Sequence, residues 1–148
     1  MSAEREERNN SLESVIRLAK NDGRYDIRAF QFLFEALKYA QELYGKDSES
    51  ENEIERHVTG QEMCEGIRRF ALEQFGYMAK AVFEGWGIYR TDDFGEIVYL
   101  LIQNRLMAKT ESDSIEDFHR IYDFHTAFED VFAPDKSKEG RAKRRPRI

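Results

Sequence analysis

Cysteine is nearly missing from this 148-residue chain, where Cys64 stands alone. An intramolecular disulfide is thereby excluded, and a reducing, cytoplasmic setting is the expectation. Proline is almost as scarce. Only Pro134 and Pro146 occur, so no proline breaks a helix between residues 1 and 133. No apolar run approaches the roughly 20 residues that a bilayer span requires. The opening MSAEREERNN is polar and lacks the apolar stretch of a secretory signal. No membrane association is expected. Phosphate-loop and zinc spacings are absent too. Gly85-Trp-Gly87 has the wrong spacing and follows a helical segment instead of preceding one. The histidines lack the tight pairing with Cys or His that zinc sites use. No catalytic signature is visible, no cofactor is expected, and a non-enzymatic role is preferred.

What the chain does contain is aromatic and ionised. Eleven Phe and seven Tyr, 41% apolar residues and 35% charged residues describe an acidic globular protein with one core. Charge is unevenly distributed. Residues 136–148 hold Lys136, Lys138, Arg141, Lys143, Arg144, Arg145 and Arg147 against Glu139 alone, so the chain's net −6 divides into +6 there and −12 elsewhere. Such a tail fits salt-sensitive, sequence-independent contact with RNA or DNA, or a solvated terminus. It has no aromatic residue for stacking on bases.

Periodicity points to a mostly α domain of five to six helices over 11–133, between a flexible 1–10 and a disordered basic tail at 134–148. Leu12, Val15, Ile16 and Ala19 recur at helical spacing, and Asn21-Asp-Gly23 ends that run. Asp26 is a candidate N-cap for a broad-striped helix that reaches Tyr44 and stops at Gly45. Residues 46–58 carry Asp47, Glu49, Glu51, Glu53 and Glu55, read as a solvated acidic loop. Thr59-Gly-Gln-Glu62 has the form of a capping box, and Gly66 within the next helix implies a close neighbouring backbone. A helix from Tyr77 to Glu84 would bury Met78, Val82 and Phe83. Thr91-Asp-Asp93 opens a further helix with acids at its positive end. Past Leu106 the pattern supports either a small β-hairpin or two short helices for 106–124, with Asp123 able to cap a last helix.

Site candidates are few. Asp117-Phe-His119 and Asp123-Phe-His125 echo each other at a six-residue interval. On a helix their imidazoles would diverge, whereas on a strand they would share a face. Ordinary hydrogen-bonded histidines are the preferred reading, with metal as the rival and His57 distant in sequence. Cys64 reads as a buried thiol. Trp86, Tyr89 and Phe94 bracket one turn and would form a protein-binding hot spot if exposed.

The stretches Thr59-Gly-Gln-Glu62, Ala71-Leu-Glu-Gln-Phe-Gly76, Trp86-Gly-Ile88, Thr91-Asp-Asp-Phe-Gly-Glu-Ile-Val98, Lys109-Thr-Glu-Ser-Asp113, Glu116-Asp-Phe118 and Tyr122-Asp-Phe124 together resemble a family of small uncharacterised bacterial proteins. That family is associated with planctomycete and verrucomicrobial lineages. The likeness spans roughly residues 24–128 and implies no activity, ligand or catalytic residue. The functional expectation is therefore an interaction module that binds a protein or its own copy. The alternative is non-specific nucleic-acid binding through 136–148.

Overall fold

Helix-forming residues without a proline, punctuated by caps and glycines, give an all-α domain with no strand among the described residues. The computed structural model describes residues 2–46, 57–110 and 112–132, with side chains from Ser11 onward. In chain order come α1 (Ser2–Asp22), α2 (Ile27–Leu43), α3 (Gly60–Phe75), a 3-10 turn at Gly76–Met78, α4 (Ala79–Gly85) and α5 (Thr91–Gln103). A second 3-10 turn at Ile115–Phe118, the short α6 (Phe124–Phe128) and a third turn at Asp130–Phe132 complete the described fold.

The caps are local chemistry. Asp26 accepts from the Arg28 amide to start α2. Thr59 Oγ1 accepts from the Glu62 amide while Glu62 Oε1 accepts from the Thr59 amide, closing the capping box of α3. Asp93 Oδ2 takes the Tyr89 and Arg90 amides ahead of α5, and Asp123 caps α6. Gly45 follows α2 with φ +66°, a conformation that L side chains rarely adopt.

Packing then joins distant elements. At the α2–α3 contact a Cβ added to Gly66 would lie 2.5 Å from Ala40 Cβ and 3.0 Å from its Cα. The cost of glycine inside a helix is offset by this close approach. Phe83 of α4 is fully buried, with ring neighbours Phe32, Trp86, Phe94, Phe124 and Phe128 at 5.2–6.0 Å. This cluster ties α2, α4, α5 and α6 into one core, with tilted and edge-on geometries that suit ring quadrupoles.

Several expectations are corrected. The first helix begins at Ser2, and not at Ser11, because Ala, Glu and Arg propagate a helix without interruption. Leu12 of the anticipated stripe is exposed, and Val15 and Ala19 carry the contact with the core. Met78 is also exposed, since a 3-10 turn precedes α4 and redirects it outward. Among the described residues no hairpin follows Leu106. The amides there are engaged locally, Thr110 N–H by Asp113 Oδ2 at 2.8 Å and Ser114 N–H by Asp117 Oδ2 at 3.1 Å, which competes with a strand ladder. The acidic stretch 47–55 and the whole basic tail lie outside the described residues.

Candidate functional site

The 3-10 turn at Ile115–Phe118 shapes the site. It lies against both the N-terminus of α3 and the face of α5, and two glycines permit this. A Cβ at Gly60 would stand 2.6 Å from Asp117 Cβ, and one at Gly95 would stand 2.8 Å from Phe118 Cβ. Thr91 fastens the same turn from below. Its buried hydroxyl donates to the Phe118 carbonyl at 2.6 Å and accepts from the Ile121 amide at 3.1 Å.

Beside this wedge a cavity of about 210 Å³ opens between α2, the start of α3, α5 and the stretches 107–108 and 113–118. Its apolar wall comes from Leu37, Val58, Met63, Val98, Ile102, Met107 and Phe118. For scale, a dry cavity of about 150 Å³ admits benzene. Lys46 stiffens the entrance to α3, because its Nζ sits 2.7 Å from Glu62 Oε1, the same oxygen that caps Thr59. Burial works against the Glu62 charge, yet Lys46 and the Thr59 amide hold the carboxyl below its usual range.

The polar wall is more informative. His57 Nε2 lies 2.6 Å from Asp113 Oδ2, and both side chains are largely covered. The pair has the distance of an ion pair, although the ring nitrogen is not aligned on the carboxylate as a well-formed hydrogen bond requires. Burial would raise the Asp113 carboxyl, but the Thr110 amide and His57 outweigh it and keep the group ionised below the usual carboxylate range. Tyr99, from α5, brings a buried hydroxyl with no hydrogen-bond partner among the described residues. Burial first, then the charges of Asp113 and Asp117, push its phenol upward, so it stays protonated near neutrality. An orphan hydroxyl beside a cavity is costly unless something in the cavity bonds to it.

Sequence reasoning had named other residues. The structure does not assemble His119, His125, Asp117 and Asp123 into a metal site. His119 is exposed, and Asp117 and Asp123 are capping groups for Ser114 and Thr126. Both ring nitrogens of the exposed His125 are occupied, Nδ1 by Glu129 at 2.8 Å and Nε2 by Asp130 at 3.1 Å. The Glu129 contact, with Asp130, raises the His125 pKa. Among the described residues no group of three His, Cys, Asp or Glu is placed to hold a metal.

The aromatic hot spot also divides. Phe94 is a fully buried core ring and Trp86 is half-buried against Phe32, Phe75 and Phe83, so only Tyr89, 61% exposed, faces solvent. Hydrophobic demand from the core claims the other two. Cys64 is buried, which pushes its thiol well up and keeps it unreactive. Lys136, Lys138, Arg141, Lys143, Arg144, Arg145 and Arg147 lie outside the described residues. His57, Asp113 and Tyr99 were missed as a group because no local motif links them.

Among the described residues no helix is long and apolar enough to cross a membrane. Compared with known proteins, the chain matches no family model, no curated protein and no solved structure. The likeness to small bacterial proteins therefore contributes nothing to the reading of this cavity.

Proposed function

We propose that this protein binds a small, largely apolar molecule in the cavity walled by α2, α3, α5 and the stretches 107–108 and 113–118. The observation that carries this reading is the cavity itself, which sets His57, Tyr99, Asp113 and Asp117 beside an apolar wall. A few directional polar groups set in an apolar concavity are the usual form of a ligand site. His57, Asp113 and Tyr99 would orient the bound molecule, while Met63 and Met107 supply adaptable contact surface.

The test is a fragment screen read on methyl resonances. Bound fragments should shift Met63, Val98, Ile102 and Met107 together, and an Ala108→Trp variant, which crowds the cavity's exposed rim, should weaken the shifts. If no fragment moves these methyls in the folded wild type, the reading fails.

A second reading, a protein–protein interaction module, has its own support. Tyr77, Met78, Val131 and Phe132 are all roughly half-exposed, and the Tyr77 and Phe132 rings meet edge-on at 5.8 Å. Exposed apolar groups gathered in this way are the common raw material of an interface. Its test is light scattering of wild type beside Tyr77→Ser/Phe132→Ser: self-association that the variant loses would support it. The nucleic-acid alternative rests on the charge of 136–148 alone. Retention on heparin that survives deletion of those residues would remove it.

A further inference from the structure

We infer that the cavity selects a ligand with a protonated amine at one end of a compact apolar body. This rests on the small-molecule reading above and names the chemical class. Three observations carry it. The titratable side chains lining the cavity are His57, Tyr99, Asp113 and Asp117, and no Lys or Arg joins them among the described residues. With a neutral phenol, the wall is net negative whether the His57 imidazole is charged or not. Both carboxylates belong to the same short stretch, 113–117, so the negative charge gathers on that side of the cavity.

The two acids are also fixed in place. Asp113 is held by the Thr110 amide and His57, and Asp117 by the Ser114 amide. A carboxylate whose position is set by backbone bonds pays little reorganisation when a cation arrives. An ammonium group donates up to three hydrogen bonds and accepts none. It can therefore donate to carboxylate oxygens of Asp113 and Asp117, both of which line the cavity. A carboxylate or phosphate head would meet like charge at the same place. The cavity volume restricts the body to about one ring with a short arm.

The experiment compares three probes that share a phenyl ring: 2-phenylethylamine, 2-phenylethanol and phenylacetate. Affinity for the full chain at neutral pH is read from the same methyl resonances. The amine should bind about tenfold more tightly than the alcohol, and phenylacetate should not bind measurably. In Asp113→Asn/Asp117→Asn the side-chain oxygens that accept the Thr110 and Ser114 amides remain while the charges go. An unchanged amide spectrum outside the cavity would show the fold intact, and the amine's advantage over the alcohol should then vanish.

Equal affinity for amine and alcohol in the wild type, or tighter binding of phenylacetate, would overturn the inference and leave the binding reading standing. Persistence of the amine preference in the folded double variant would overturn it as well. Binding of none of the three, with fragments still shifting the methyls, would defeat the amine assignment alone. Silence from every fragment and probe would remove both.

Discussion

At the scale of single residues, charge and burial set how this protein responds to pH. Glu65 of α3 accepts from Arg68 at 2.7 and 2.8 Å and from Arg69 at 2.9 Å. The Arg68 bonds, helped by Arg69 and opposed by partial burial, lower its pKa from 4.5 to about 2. A depressed acid stabilises the fold fully above its unfolded pKa, and the contribution disappears as pH falls through the folded value. Glu65→Gln should therefore be less stable than wild type by about 1 kcal/mol at neutral pH. That gap should close between pH 4.5 and about 2. Urea denaturation of both proteins across this range checks it, and a gap independent of pH would contradict the assignment. The same scale explains why some residues could be read early and others not. The capping roles of Asp26, Thr59 and Asp123 depend on neighbours within three positions, so sequence displays them. Whether Phe94 or Tyr89 faces water depends on which helix lies opposite, and two aromatics five positions apart look alike in sequence.

At the scale of elements, the 3-10 turn at Ile115–Phe118 is the piece that converts packed helices into a protein with a cavity. Thr91 holds it through two hydrogen bonds in a buried setting. Thr91→Val preserves shape but leaves the Phe118 carbonyl and the Ile121 amide without that partner, at a cost of about 1–3 kcal/mol. We expect a lowered melting temperature, together with faster amide exchange at Ile121. Loss of stability without change at Ile121 would place the effect elsewhere. Segment 106–124 had been legible only as a choice between a hairpin and short helices. The outcome is 3-10 and α turns, since the Asp113, Ser114 and Asp117 groups bond their own backbone. Glycine signals were partly legible. Gly66 announced a close helix contact, whereas Gly60 and Gly95 showed no purpose until the turn was seen lying over them.

At the scale of the whole molecule, stability is concentrated in the aromatic cluster around Phe83. Its removal as Phe83→Ala should cost about 3–5 kcal/mol, a large share of the 5–15 kcal/mol typical of a domain. Trp86 is the single tryptophan, and its ring lies 6.0 Å from that of Phe83. Its emission should therefore move to the red in the variant, and unfolding should begin at lower denaturant. A variant as stable as wild type would mean that the core is organised around other rings.

The sequence by itself determined that the described chain is helical, where most helices begin and end, and that Cys64 is buried. Those outcomes follow from backbone periodicity, capping and apolar spacing, all short-range effects. Only the tertiary structure decided that Phe94 is core and that His57 meets Asp113 beside Tyr99. These depend on a turn late in the chain docking against helices formed far earlier. Such contacts are set by shape and burial across the fold, and no local pattern encodes them.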